Sequence, residues 1–305
     1  MKVLIFGCGF SGLEIGRRLA ARGVEVAGTT RSEENYSKFE QAGIKPLPFD
    51  GPTLEPELLA ELKDVTHLVI SIAPPRQETQ DQPDVPVDPV LAALAVLEAA
   101  TGETSLGLLP KLTWIGYLST VGVYGDHGGE WMDETATLSP TSARSRQRVR
   151  AEKEWQEAAD SRGLPLSIFR LSGIYGPGRN ALRAASEGRS RRLIKPGQVF
   201  NRIHVLDIAK AVDLAMAKSS AGIFNITDDE PAPPQDVVTF AHELLGTPPP
   251  PEMDFETAEL SPMARSFYGD NKRVSNKLSK DQLGMQYDWP NYRDSLKRMF
   301  EENNW

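Results

Sequence analysis

The run Gly7-Cys8-Gly9-Phe10-Ser11-Gly12 limits what this chain can fold into more than any other feature. Glycines spaced G-x-G-x-x-G are common, so the context decides. Here they follow the apolar run Val3-Leu4-Ile5-Phe6 and open a helical pattern over residues 11–22, with Leu13, Ile15, Leu19 and Ala20 on its buried side. A strand, a glycine turn and a helix in that order form the phosphate-binding corner of a dinucleotide-binding α/β fold. The first glycine allows a tight turn, the second lets the backbone approach a pyrophosphate, and the third lets helix and strand pack closely. The helix N-terminus then faces the anion with unpaired amides. Gly7, Gly9, Phe10, Ser11 and Gly12 are therefore expected around the cofactor; a glycine turn without a ligand is the competing reading.

The second strand indicates which dinucleotide. An NAD site of this kind places a carboxylate about 20 residues after the glycines, where it bonds the ribose 2′-hydroxyl. This chain instead reads Gly28-Thr29-Thr30-Arg31-Ser32. A guanidinium suits a 2′-phosphate, so Arg31, with Thr30 and Ser32 as further donors, points to NADP, with NAD left open. Arg31 also reads as a solvated residue at a helix entry. Asp50 follows the third strand and is placed to accept from the adenine amino group. The small residues Ser71, Ile72 and Ala73 after the fourth strand are expected alongside the cofactor, and both this segment and Asp50 also read as ordinary strand-end loops.

Short apolar runs continue to alternate with helical patterns. Strands are expected at residues 2–6, 25–29, 45–49, 67–71, 111–118, 166–171 and 222–226. Helices are expected at 11–22, from Ser32, and at 90–100, 143–160, 206–217, 235–245 and 292–303. Two-sided apolar strands alternating with helices predict a Rossmann-type doubly wound parallel sheet. Residues 1–171 and 201–229 are assigned to it. Residues 172–200 and 230–305 form a smaller C-terminal substrate lobe over the strand ends. Proline-rich loops are expected at 74–89, 231–234 and 248–251, and Leu296 and Phe300 are expected on the buried side of the last helix.

Composition narrows the classes. The formal charge is −8 and the pI about 5.2, which argues against a nucleic-acid surface. Cys8 is the single cysteine, so an intrachain disulfide is excluded and a thiolate metal site is not expected. No run approaches the ~20 apolar residues of a membrane span, and the first apolar run is too short for a signal peptide. A soluble cytoplasmic protein, monomer or homodimer, acting on a small molecule is the expectation.

Three further blocks carry a family resemblance: Leu118-Ser119-Thr120-Val121-Gly122-Val123-Tyr124-Gly125, Arg170-Leu171-Ser172-Gly173-Ile174-Tyr175-Gly176-Pro177-Gly178-Arg179, and Asn201-Arg202-Ile203-His204-Val205-Leu206-Asp207-Ile208-Ala209. With the glycine turn, they make the chain resemble the extended short-chain dehydrogenase/reductase superfamily, which includes nucleotide-sugar epimerases and dehydratases. The resemblance spans almost the whole chain. It implies that Thr120 orients a substrate carbonyl or hydroxyl. It also implies a tyrosine on the next helix as proton relay, and a lysine four residues later that holds the nicotinamide ribose.

The chain departs from that pattern. Pro140 and Ala151-Glu152 align the helix so that Arg144 stands at the tyrosine position and Arg148 at the lysine position. Arginine stays protonated, so Arg144 cannot relay a proton. Arg148 can still donate to a ribose. The two fall one turn apart and read either as an anion clamp or as part of a solvated basic face. A literal Tyr-x-x-x-Lys occurs at Tyr268–Lys272, but Gly269, Asp270 and Asn271 favour a turn, so the pair is not expected on one helical face. Tyr175, in the loop after the sixth strand, is a candidate for substrate contact, and Tyr175, Tyr124 and His127 are candidates for the missing relay, with His204 orienting its loop; His67 and His242 read as structural. No histidine has metal-ligand spacing. Two functions remain: an NADP-dependent oxidoreductase or epimerase/dehydratase on a small polar substrate such as a nucleotide sugar, or a non-catalytic NADP(H) sensor.

Overall fold

A computed structural model describes residues 1–75, 85–102 and 104–305. Part of the expected proline-rich loop, residues 76–84, lies outside the described residues. Seven strands form the main sheet: β1 (Lys2–Phe6), β2 (Glu25–Thr30), β3 (Ile44–Pro48), β4 (His67–Ile70), β5 (Trp114–Thr120), β6 (Leu166–Leu171) and β7 (Gly222–Ile226). They pair in parallel in the order β7-β6-β5-β4-β1-β2-β3. The chain leaves β1 towards one edge and returns at β4 towards the other. The β1/β4 border is therefore the switch point, where ligands bind this architecture.

Helices cover both faces: α1 (Phe10–Ala20), α2 (Tyr36–Gln41), α3 (Pro56–Leu62), α4 (Pro89–Thr101), α5 (Ala143–Asp160), α6 (Ala181–Ser186) and α7 (Val205–Ala217), followed by α8 (Pro234–Leu244), α9 (Pro262–Phe267) and α10 (Tyr292–Glu301). Side chains alternate along each strand, so β1 feeds two cores. Val3 and Ile5 pack with Leu13, Ile15 and Leu19 of α1 and Val212 of α7. Leu4 and Phe6 pack with Leu58 of α3, Leu94 of α4 and Trp155 of α5. Burial on both faces is why these strands read as continuous apolar runs.

A third core joins α6, α8 and α10 through Leu182, Val237, Ala241, Tyr292, Leu296 and Met299. Phe300, expected beside Leu296 on the buried side, is 37% exposed; Met299 takes the inner position. Ser32 makes no side-chain cap, and a short 3-10 turn, Glu33–Asn35, precedes α2. The fifth strand starts three residues later than expected because a turn closes at Leu112, whose amide bonds the carbonyl of Leu109. Three short parallel ladders bring later chain back to the strand ends: Gly173–Tyr175 with Arg202–His204, Arg192–Ile194 with Glu252–Asp254, and Trp131–Met132 with Arg273–Val274.

Asp88, fully buried, caps α4 by accepting from the amides of Val90 (2.9 Å) and Leu91 (3.3 Å). Burial pushes its carboxyl up from 3.8 to about 6, against the pull of those amides and of Arg148. A carboxyl raised on folding favours the folded state while protonated; that contribution is full below about pH 4 and is lost as the pH rises through about 6. Asp88→Asn keeps a capping oxygen and removes the charge. Relative to wild type, this variant is expected to gain roughly 3 kcal/mol of stability between about pH 4 and pH 7. Urea unfolding at both pH values reads it, and a difference independent of pH would show that Asp88 titrates alike in both states.

Candidate active site

The glycine turn is held from β2. The Gly7 amide donates to Thr29 Oγ1 (2.9 Å) and the Cys8 amide to the Thr29 carbonyl (2.8 Å). Gly7 has φ +85°, and a Cβ there would lie 2.6 Å from Ile72 Cγ1, so only glycine permits the β1 end to lie against the β4 end. At Gly12 a Cβ would lie 2.7 Å from the Gly7 carbonyl oxygen, which is the close helix–strand packing the third glycine allows. At Gly9 a Cβ would meet nothing within 4 Å. That open ground lies at the N-terminus of α1, which has no side-chain cap, so its leading amides fit a pyrophosphate. Cys8 is buried and its thiol is pushed up to about 12, which keeps it protonated.

At the tip of β2, Thr30 Oγ1 accepts from the Ser32 amide (3.2 Å) and Asn35 Nδ2 (3.1 Å), closing a local turn. Arg31 is exposed and makes no ion pair or side-chain hydrogen bond among the described residues. Asp50 lines a cavity of about 380 Å³ with Gly51, Pro52, Val85, Val87 and Gln147. Ser71 continues β4, its amide donating to Phe6 (2.8 Å), and Ala73 is exposed just beyond. Thr30, Arg31, Ser32, Asp50, Ser71, Ile72 and Ala73 thus all lie at or just beyond the C-terminal ends of β2, β3 and β4, the edge that carries the glycine turn.

Beyond β5 and β6 opens a larger cavity of about 650 Å³. Thr120 and Ser145 both reach it. Thr120 Oγ1 accepts from the Gly122 amide (3.1 Å), capping the 3-10 turn Val121–Tyr124. A Cβ on Gly122 would stand 3.3 Å from that oxygen and 3.1 Å from Ser145 Oγ, so the two hydroxyls converge on the same glycine. Arg144 also lines the cavity, exposed, its guanidinium 5.1 Å above the Phe267 ring.

Other expected residues are committed elsewhere. Arg148 Nη1 donates to the Leu118 carbonyl (2.8 Å) and to Tyr117 Oη (3.1 Å), and the residue is not in the cavity wall. Tyr175 lines the wall, but its hydroxyl bonds Ser295 Oγ (2.8 Å) and burial raises it far above the usual tyrosine range. The reason is the closing helix α10, which places Ser295 against it. Tyr124 is buried, its hydroxyl bonded to Asn225 and Arg170. His127 bonds the Tyr124 carbonyl outside the cavity wall. His204 caps α7 with Nδ1 and stacks on Trp289 at 3.8 Å; burial pushes it down to about 3, so it is neutral. The hydroxyls of Tyr175 and Tyr124 are thus engaged within the protein, and Arg148 and His127 lie outside the cavity wall.

Sequence reasoning passed over several residues of the wall. Arg179 lies over the Phe10 ring of the glycine turn (5.6 Å), linking this cavity to the cofactor corner. Arg202 and Asn180 line it too. These lay inside or directly after the blocks quoted above, and their polarity was the available signal. Asp270 and Lys272 come from far downstream. Tyr268 caps the end of α9 and Lys272 sits in the following loop, so the Tyr-x-x-x-Lys pair does not share a helical face. Lys272 nevertheless enters the cavity. Among the described residues no cluster has metal-ligand geometry, and no helix is long and apolar enough to cross a membrane.

Sheet order, glycine corner and strand-end cavities together define a dinucleotide-binding Rossmann protein. The chain belongs to the NAD dependent epimerase/dehydratase family, whose model matches residues 3–227. It is 27% identical to "Protein YeeZ" of Escherichia coli (strain K12) over 298 residues, 95% of this chain and 96% of that protein. A solved structure from Silicibacter pomeroyi DSS, described as a functionally unknown conserved protein, is 44% identical, with a TM-score of 0.83 over 100% of this chain and 99% of its own. A UDP-glucuronic acid 4-epimerase variant from Bacillus cereus, in complex with UDP-4-deoxy-4-fluoro-glucuronic acid and NAD, shares the fold at 18% identity and a TM-score of 0.76, covering 99% of this chain and 98% of its own.

Proposed function

We propose that the chain is an NADP(H)-dependent oxidoreductase acting on a small, polar, anionic substrate. The observation that carries this reading is the cavity of about 650 Å³ at the ends of β5 and β6. Its wall holds Arg144, Arg179, Arg202 and Lys272 against the single carboxylate of Asp270, among hydroxyls and amides. An excess of cations in a partly enclosed site favours phosphate or carboxylate groups. A nucleotide sugar, the class of ligand named for the Bacillus cereus epimerase, offers both a charged diphosphate and hydroxyls. A pyridine dinucleotide would supply hydride transfer; Gly7, Gly9 and Gly12 would hold its pyrophosphate, and Thr120 with Ser145 would orient the substrate oxygen.

Arg31 supports NADP(H) over NAD(H), because it is the cation at the β2 tip and has no internal partner among the described residues. Fluorescence titration with NADPH and NADH tests this. Arg31→Ala is expected to weaken NADPH binding by about 10- to 100-fold, the worth of a charged hydrogen bond, and to leave NADH unchanged. Failure of the wild type to bind either dinucleotide would sink the reading. The engagement of Arg148 and of the Tyr175 hydroxyl favours a second reading, a non-catalytic NADP(H) sensor; it predicts tight NADPH binding with no turnover of any carbonyl substrate.

A further inference from the structure

We propose that Lys272 is the proton donor of this site, entering from the C-terminal segment in place of the acid that α5 lacks. The inference rests on the oxidoreductase reading above. Lys272 is 6% exposed, yet it lines the cavity shared by Thr120 and Ser145. Its Nζ donates to the Gly125 carbonyl and to Asp270 Oδ2 (3.3 Å). An ammonium has three N–H donors, and the third has no partner among the described residues.

The placement is firm at both ends. Gly125 closes the 3-10 turn that Thr120 opens, so the lysine and the substrate-orienting hydroxyl are fixed to opposite ends of one four-residue turn. The preceding residue, Asn271, is held on three sides: its amide donates to Asp126 Oδ1 (2.7 Å), its carbonyl accepts from His127 and Gly129 (both 3.0 Å), and its Nδ2 donates to Gly197 (3.0 Å). The next residue, Arg273, begins the ladder with Trp131–Met132.

Burial lowers the lysine from its ordinary 10.5, opposed by the carboxylates of Asp270 and Asp126. Arg144, Arg179 and Arg202 line the same cavity. An amine displaced downward in this way releases a proton more readily than a surface lysine. In carbonyl reduction a bound reduced dinucleotide would supply the hydride equivalent to the substrate carbon, and Lys272 Nζ would give its proton to the substrate oxygen. The C–O π bond is lost, C–H and O–H bonds form, and the neutral amine regains its proton from water.

Competitive labelling of the folded wild-type chain with acetic anhydride, read by mass spectrometry from about pH 6 to pH 11, tests the amine directly. Lys272 is expected to be acetylated, with a labelling profile that rises at lower pH than that of exposed Lys153, because burial disfavours its charged form. Asp270→Asn should lower it further. A profile matching that of Lys153, or no labelling, overturns the proposal. Lys272→Met and Lys272→Arg are expected to bind NADPH as wild type does and to lose at least ~100-fold of NADPH oxidation in a screen of pyruvate, 2-oxoglutarate and UDP-4-keto sugars. Full turnover by either variant also overturns it. If the wild type binds no NADPH, the oxidoreductase reading fails whatever the labelling shows. If none of the probes is turned over, the labelling profile decides.

Discussion

Glu152→Ala is expected to lower the unfolding free energy by about 3–5 kcal/mol, the cost of leaving a buried charge without its partner. Glu152 and Arg170 are 5% and 3% exposed. Arg170 Nη2 donates to Glu152 Oε2 (2.8 Å) and Nε to Oε1 (3.2 Å), while Ser119 Oγ donates to the same Oε1. On its other side Arg170 Nη1 donates to Tyr124 Oη (3.0 Å), which bonds Asn225 Oδ1 (2.7 Å). This network ties α5 to β5, β6 and β7 directly behind Thr120. Truncating the acid strands a guanidinium that water cannot reach. Urea unfolding of wild type, Glu152→Ala and Glu152→Gln gives the ranking, with Gln intermediate because it keeps a hydrogen-bonding oxygen and loses the charge. A loss under about 1 kcal/mol for alanine would place the pair among those of no net weight.

Gly125→Ala is expected to cost about 4 kcal/mol and to disturb the cavity as well. Gly125 has φ +74° and ψ −151°, a region open in practice to glycine alone. A Cβ there would lie 1.8 Å from the Ser139 carbonyl oxygen, a backbone atom that cannot swing aside. Strain of roughly 1–3 kcal/mol from the dihedral adds to a similar cost from the overlap. Because the Gly125 carbonyl also receives Lys272, the substitution should shift the acetylation profile of that lysine in whatever fraction still folds. Melting temperature and labelling together check this; an alanine variant with wild-type stability would overturn the backbone argument.

The sheet was legible in the sequence because its strands are apolar on both faces. Runs such as residues 166–171 and 222–226 coincide with β6 and β7, and the glycine turn fixed where the cofactor edge begins. Helix α5, expected at residues 143–160, spans Ala143–Asp160, and the structure adds its cap: Ser142 Oγ accepts from the Ser145 amide (3.1 Å). The short elements were not. The strands of two and three residues in the C-terminal half have no period to detect, and they form through pairing with distant chain, as Arg273–Val274 does with Trp131–Met132. Site residues divide along the same line. Thr120 and Arg144 could be placed from local blocks, since each lies on an element that its own neighbours specify. Lys272 could not, because turn-forming Gly269, Asp270 and Asn271 say where the chain bends and nothing about what it bends towards. Tyr175 shows the converse: its position at the cavity was readable, but the bond that engages its hydroxyl comes from Ser295, 120 residues later.

The return of the chain to the strand ends at Asn271–Lys272 also sets an order in time. Synthesis runs from the N-terminus, and the emerging chain folds as its parts become available. The glycine corner and six of the seven strands are made within the first 171 residues, and the last strand by residue 226. The wall carrying Phe267, Asp270 and Lys272 leaves the ribosome some forty residues after that. A nascent chain can therefore complete its sheet, and most of the cavity wall, before the side that carries Phe267, Asp270 and Lys272 has been made.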